Sequence, residues 1–164
     1  MKTFWAVFFG ILAAAAAIGL LFLVVRVGSE IANAPSLSTM NQNSAVGSLR
    51  TISTAEITYA STYNTGWSKD LASLGPGCTP PAANCAGLID EVLAGGKKSG
   101  YIFRYSPGAA GRRGRIDRYT ITARPEAFGK SGTKSFFVDE SGVIRETSED
   151  REATTTDGPL GFIP

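Results

Sequence analysis

The stretch STMNQNSAVGSLRTISTAEITYASTYNTG, residues 38–66, decides the fold. Its apolar residues recur at steps of three and four, which is the spacing of one face of an α-helix. They are Val46, Leu49, Ile52, Tyr59 and Tyr63, with Ala45, Ala55 and Ala60 close by. Residues 64–66 then supply an asparagine and a glycine, which commonly end a helix. The spacing predicts a long amphipathic helix whose apolar face packs against another element.

The element available for that packing is a sheet predicted in the second half of the chain. The segments GYIFRYSPG, DRYTITARP and KSFFVDESGVIRE alternate with period two, are rich in aromatic and β-branched residues, and are bounded by turn-forming residues. Residues 139–142 predict a hairpin turn inside the last of them. The result is an α+β domain in which the helix covers an antiparallel sheet of three or four strands.

Two further segments complete this domain. LIDEVLAGG, residues 88–96, predicts a short helix with Leu88, Ile89, Val92 and Leu93 on one side and a glycine pair at its end. After Glu146 the composition becomes polar. Residues 148–164 are therefore predicted to form a polar C-terminal tail, either loose or docked on a partner.

The amino-terminal segment is strongly apolar. Residues 4–25 carry no charge, and a helix of that length reaches about 33 Å, enough to cross a hydrocarbon core. A transmembrane helix is predicted over residues 4–26, after three residues on the cytoplasmic side and before a linker at 27–38. The alternative is a signal peptide cleaved after the Ala32-Asn33-Ala34 triplet, although the run is long for one. Ala13 and Ala17 lie in a small-residue patch, which is either a packing face against another helix or ordinary membrane-helix composition.

The two cysteines bear on the compartment. Cys78 and Cys85 bracket the loop GCTPPAANC, whose two prolines restrict the chain between them. The spacing differs from that of a redox or zinc pair, so a local disulfide is the natural interpretation, with two unpaired thiols as the alternative. If the bridge forms, the domain lies outside the cytoplasm and the amino terminus lies inside.

The composition disfavours several classes of function. The chain has no histidine, which removes the commonest general base and the commonest zinc and haem ligand. We find no nucleophile elbow, P-loop or dinucleotide motif. The net charge of +2 gives no nucleic-acid footprint. The sequence therefore predicts a protein that is not an enzyme, needs no cofactor and does not bind nucleic acid.

The residues that carry a family resemblance are AVGSLRTISTAEITYASTYNTGW, LIDEVLAGGKKSGYIFRYSPG, IDRYTITARP and KSFFVDESGVIRE. Together with the order of elements, they resemble the head domain of type IV pilins and type II secretion pseudopilins. The resemblance covers most of the chain beyond the apolar run and implies a pilin-like exported domain over residues 39–147.

The front of the sequence departs from that family. A pilin of this kind has a short leader ending in glycine and a glutamate a few residues into the mature apolar helix. Here the apolar run follows Met1-Lys2-Thr3 directly, Gly10 has no acid close after it, and Glu30 lies beyond the run. A pilin-like fold is thus better supported than pilus-like assembly, and fold alone does not transmit function.

Two weaker sites remain candidates. Because some pseudopilins bind calcium near their carboxy-terminal loops, the resemblance makes Asp139, Glu140 and Glu146 candidate calcium ligands, against an ordinary acidic turn and tail. The loop GAAGRRGRIDR places Arg112, Arg113 and Arg115 close together, with Arg118 next along the chain and Lys97 and Lys98 earlier. These basic residues are candidates for lipid or partner contact, or form a solvated flexible loop.

These features predict a single-pass protein of the bacterial inner membrane with a periplasmic carboxy-terminal domain. Its expected role is a structural or accessory subunit of a larger membrane protein complex, in contact with the lipid bilayer and other membrane subunits. A minor pilin or pseudopilin is the first alternative. An exported calcium- or ligand-binding module is the second.

Overall fold

A computed structural model describes residues 36–161 of the chain. The predicted transmembrane helix at 4–26, the cytoplasmic residues before it and residues 27–35 of the predicted linker at 27–38 lie outside these residues. Three helices come first: α1 (Leu37–Tyr63), α2 (Leu71–Leu74) and α3 (Glu91–Ala94). The strands follow: β1 (Lys97–Lys98), β2 (Tyr101–Pro107), β3 (Tyr119–Pro125), β4 (Ser135–Asp139) and β5 (Arg145–Thr147), with a 3₁₀ turn at Arg112–Gly114 between β2 and β3.

Helix α1 has the buried face and the end that its sequence predicts, but it begins at Leu37, inside the linker predicted at 27–38. Ala45, Leu49 and Ile52 are fully buried, and Tyr59 nearly so. The helix ends where Asn64 and then Gly66 adopt positive φ, at 54° and 81°, because these residue types enter the left-handed region most readily. Within residues 36–161, no helix is both long enough and apolar enough to cross a membrane.

The sheet is a five-stranded antiparallel meander in the order β1-β2-β3-β4-β5. The three strand segments predicted from period-two alternation are present, and the third holds β4 and, after the predicted turn, the start of β5. The short strand β1 is an additional edge strand. Alternation is clearest in β3, where Tyr119, Ile121 and Ala123 are buried and the residues between them are half-buried. The α+β prediction of a helix with an antiparallel sheet is confirmed.

The core lies between the buried face of α1 and one face of this sheet. Leu49 and Ile52 belong to the same buried cluster as Tyr101, Ile121 and Phe136. Each such side chain contributes about 1.5 to 3 kcal/mol to folding through its removal from water. We call the sheet face toward α1 the inner face and the opposite one the outer face of the sheet.

Helix α3 is shorter than predicted. It starts after Asp90, whose side chain accepts a hydrogen bond from the Leu93 backbone N–H at 3.0 Å and thus caps the helix. Leu88 and Ile89 therefore precede the helix. Leu93 is fully buried, but 59% of Val92 is exposed. The prediction that Val92 shares the buried side was wrong, because the cap sets a helix phase that turns this residue to solvent.

The carboxy-terminal segment is part of the fold and not a loose tail as far as residue 161. The Glu146 N–H donates to the Gly158 carbonyl at 2.9 Å, and the Leu160 N–H donates to the Ile144 carbonyl at 2.8 Å. These bonds pair residues 158–160 with the edge of the sheet beside β5. Ala153 is 2% exposed, so the segment also contributes to the buried interior.

Ion pairs hold the same segment over the outer face of the sheet. Arg104 on β2 pairs with Glu152, and Arg124 on β3 pairs with Asp150. Phe137, which is opposite Thr122 in the register and so on this outer face, is buried as well. Strand β4 is consequently covered on both faces, which explains its run of apolar residues without alternation.

Asp157 is the electrostatic centre of the carboxy-terminal segment and gives a pH prediction. Its carboxylate accepts two hydrogen bonds from the Arg151 guanidinium, at 2.8 and 2.6 Å, and one from the Thr154 N–H at 2.7 Å. The Arg151 contact comes first among the interactions that hold the pKa of Asp157 below its ordinary value. The resulting stabilisation is complete above the usual aspartate range and is lost as the pH falls through and below it.

We expect the urea midpoint of the wild-type protein to fall between about pH 5 and pH 2 by more than that of Asp157→Asn, because the variant lacks the titrating carboxylate. The measurement is a series of urea melts across this pH range. Parallel decreases for the two proteins would contradict the prediction.

Candidate functional site

The predicted disulfide between Cys78 and Cys85 is confirmed. The two Cα atoms lie 5.7 Å apart, and Cys85 is buried. The loop they close is attached to α1, because the Tyr59 hydroxyl donates to the Ala83 carbonyl at 2.8 Å. The bridge therefore fixes a surface loop against the carboxy-terminal half of the long helix.

Removal of this bridge gives a stability prediction. We expect Cys78→Ser/Cys85→Ser to lower the free energy of unfolding by about 2.5 kcal/mol, the chain-entropy value for so short a loop. Urea melts with and without dithiothreitol measure this change. The wild-type protein in reductant is expected to match the double variant, which itself should not respond to reductant. A wild-type midpoint that reductant leaves unchanged would contradict the prediction.

The candidate calcium ligands have partners of their own. Asp139 accepts hydrogen bonds from the Ser141 N–H and hydroxyl within the predicted turn. Glu140 lies 4.0 Å from Arg118, and Glu146 pairs with Lys134 at 2.8 Å. Within residues 36–161, no three or more acidic or cysteine side chains form a group that could hold a metal ion. The structure does not gather Asp139, Glu140 and Glu146 into such a site.

The basic residues do not form one patch. Lys97 and Lys98 lie opposite the start of β2, whereas Arg112, Arg113 and Arg115 follow its end, so the seven-residue strand, about 23 Å long, separates them. Arg115 pairs with Asp117 at 2.7 Å. Arg112 and Arg113 are exposed and form no ion pair with the part of the chain described. Of the remaining contact candidates, Ala13 and Ala17 lie outside the described residues.

Glu56 is a buried acid that sequence reasoning missed. It is fully buried on α1, and its carboxylate accepts hydrogen bonds from the Ser68 N–H at 2.9 Å and from the Ser68 hydroxyl. The Tyr105 hydroxyl donates to the Ser68 carbonyl at 2.9 Å. This network ties the loop after α1 to both the helix and β2. Because the carboxylate is enclosed, its role is to hold this loop in place.

Tyrosines surround that network on the inner face of the sheet. The rings of Tyr105 and Tyr119 stack at 5.6 Å, and Trp67 meets Tyr119 edge-on at 5.2 Å. Burial raises the pKa of Tyr119 to about 12 and that of Tyr105 further. Both phenols are therefore protonated near neutral pH and pack through their rings, and the Tyr105 hydroxyl also donates a hydrogen bond.

The exposed side of α1 carries very few charges. Its exposed residues, which we call the outer face of α1, carry a single charge, that of Arg50. They are Leu37, Thr39, Met40, Asn43, Gly47, Arg50, Thr51, Thr54, Ile57, Thr58, Ser61 and Thr62. Leu37, Met40 and Ile57 are more than half exposed. A helix face that meets only water is usually rich in charged residues, so this one has the composition of a contact surface.

Hydroxyl groups on the outer face of α1 bond back to the helix itself. Thr51 donates to the Gly47 carbonyl at 3.0 Å, Thr58 to Thr54 at 3.1 Å, and Thr62 to Thr58 at 2.7 Å. Because these donors are already satisfied, covering them leaves no unmet hydrogen-bonding group. The face can therefore be buried at a lower cost than its polar composition suggests.

Surface grooves meet at Arg50. One, of about 460 Å³, lies between the amino-terminal half of α1 and the Lys134–Glu146 pair. Another, of about 350 Å³, runs along α1 toward its carboxy-terminal half and is lined by Arg50, Thr51, Thr54, Ala55, Thr58 and Leu88. Arg50 forms no ion pair with residues 36–161. An exposed, unpaired guanidinium thus stands at the centre of the uncharged face.

Comparisons of the chain with protein-family models, with curated proteins and with solved structures gave no match.

Proposed function

We propose that the protein is a non-enzymatic structural or accessory subunit of a larger membrane protein complex. The outer face of α1 carries this proposal. It runs the length of a 27-residue helix and bears one charge, and three of its threonine hydroxyls donate to carbonyls of the same helix. A face about 40 Å long with these properties is suited to lateral contact with another protein.

The membrane part of the proposal rests on the sequence. The uncharged residues 4–25 match the length of a bilayer-spanning helix. The disulfide favours an oxidising compartment for the domain, so the proposed topology places the amino terminus in the cytoplasm and residues 39–147 in the periplasm. The proposed partners are other membrane subunits and the lipid bilayer.

A minor pilin or pseudopilin is the second candidate. It is favoured by the order of elements, in which a long helix comes first and an antiparallel sheet follows along the chain. Mass spectrometry of the protein from membranes distinguishes it. Loss of a leader with a methylated new amino terminus would support the pilin and argue against an uncleaved anchor.

The outer face of α1 can be tested with matched lysine substitutions in the full-length chain. Thr54→Lys places a charge on this face, and Ser106→Lys places one on an exposed position of β2. After extraction of membranes in mild detergent, native electrophoresis should show the wild-type and Ser106→Lys proteins in a complex much heavier than the 17.2 kDa chain. Thr54→Lys should shift to the free chain.

Two outcomes would overturn the proposal. One is a wild-type protein that migrates as the free chain. The other is a Thr54→Lys variant that remains in the heavy complex as fully as Ser106→Lys does.

A further inference from the structure

Almost every acidic side chain of the domain has a partner within it. Glu91 is the exception among residues 36–161: it is exposed and forms neither an ion pair nor a side-chain hydrogen bond. The other described acids each accept a hydrogen bond from, or pair with, a group of the domain. Because the other described acids are paired, the unpaired Glu91 marks its surface as a candidate contact site.

Glu91 lies close in the chain to a residue that lines a groove on the outer face of α1. Leu88 forms the wall of the 350 Å³ groove opposite the helix, and Glu91 follows three residues later at the start of α3. Val92, next to Glu91, is 59% exposed. The groove has Arg50 on its helix side and is otherwise lined by small or apolar side chains, and the exposed Glu91 and Val92 come three and four residues after Leu88 in the chain.

One surface that holds an unpaired cation and an unpaired anion beside an uncharged groove is complementary to itself. In a two-fold interface, residue i of one copy meets residue j of the other and the reverse contact also forms. We propose that this surface is a two-fold interface between two copies of the chain, in which Arg50 of each copy pairs with Glu91 of the other. The inference rests on the proposed function, since both require burial of the outer face of α1, and it identifies one partner as a second copy.

The chemistry of the groove supports such a contact. Exposed Val92 offers the other copy an apolar side chain, and Thr51, Thr54, Ala55 and Thr58 are small enough to admit it. The hydroxyls of Thr51 and Thr58 are already bonded to α1 carbonyls. The two ion pairs then fix the register of the copies, which is the usual contribution of charges at an interface.

Charge reversal in the full-length protein in mild detergent tests the pairing. We expect Arg50→Glu and Glu91→Arg each to weaken the homodimer by about tenfold or more, as close interfacial charge pairs do. The double variant should dimerise like the wild type. An equimolar mixture of the two single variants should form a heterodimer, because it restores both pairs. Differently tagged copies and sedimentation equilibrium give the fractions.

The matched control is Lys130→Glu, which reverses an exposed, unpaired base on a different loop and should leave the dimer unchanged. Unaltered thermal melts would show that the variants fold. A monomeric wild type, or single variants that neither the double variant nor the mixture rescues, would overturn the inference. A complex with other polypeptides that holds one copy of this chain would also overturn it while sustaining the proposed function. A homodimer with no other component in native membranes would support the two-fold interface and overturn the proposed function as a subunit of a larger complex.

Discussion

Replacing Gly66 with alanine is expected to lower the free energy of unfolding by about 4 kcal/mol, the sum of a left-handed backbone penalty and a steric clash. Gly66 has φ of +81°, and a Cβ there would lie 2.1 Å from the Ile116 carbonyl oxygen. That oxygen accepts a hydrogen bond from the Trp67 N–H at 2.9 Å, so it cannot retreat without loss of this contact. Urea unfolding followed by tryptophan fluorescence measures the change.

Gly87→Ala is the matched control for this substitution. Gly87 also has positive φ, at +66°, but no atom lies within 4 Å of the position that a Cβ would take. Its replacement should cost only about 1 kcal/mol, the backbone component alone. Equal losses for the two variants would show that the close approach of Ile116 contributes nothing.

Replacing Glu56 with leucine has the second-largest expected effect, a loss of about 3 kcal/mol. The substitution fills a similar volume on the buried face of α1 but removes both Glu56 oxygens that accept from Ser68, which is itself fully buried. The Ser68 hydroxyl keeps the Asp70 carbonyl as an acceptor, whereas the Ser68 N–H is left without one. A buried N–H without an acceptor carries its full desolvation penalty. We expect a lower urea midpoint with an unchanged denaturant slope, since the fold is retained.

Glu56→Gln separates hydrogen bonding from packing at this position. The amide keeps one oxygen acceptor for Ser68 and replaces the other with a donor. The free energy of unfolding of Glu56→Gln should therefore lie between those of the wild type and the leucine variant. A leucine variant as stable as the wild type would show that the Ser68 contacts add no net stability.

Periodicity was enough to predict the main elements. The spacing from Ala45 to Tyr63 gave α1, and period-two alternation gave β2, β3 and β4. The same spacing held the signal for Glu56, which lies four residues after Ile52 and three before Tyr59, on the apolar side. An acid on that side has no evident partner in the sequence, however, because its donor comes from a loop residue twelve positions later.

The packing of the carboxy-terminal segment could not be predicted in the same way. Its contacts join residues that are far apart in the chain, such as Arg104 and Glu152, which are 48 positions apart. Local composition shows only polar residues there. The candidate interface could not be predicted from local composition either. Only the structure, which shows how the other charges pair, makes it evident that Arg50 and Glu91 lack partners.

The position of α1 at the start of the domain has a consequence for synthesis. Within the domain, the ribosome synthesises this helix first and β4 near the end. Leu49 and Ile52 of the helix are buried only when β4 and the other strands supply the inner face of the sheet. At a synthesis rate of about 5 to 20 residues per second, the apolar side of α1 stays without the sheet for about 4 to 17 seconds. During that interval the polar side chain of Glu56 is exposed to water in the middle of the apolar stripe. We therefore expect the acid that later secures the loop through Ser68 also to make the nascent helix less prone to aggregate.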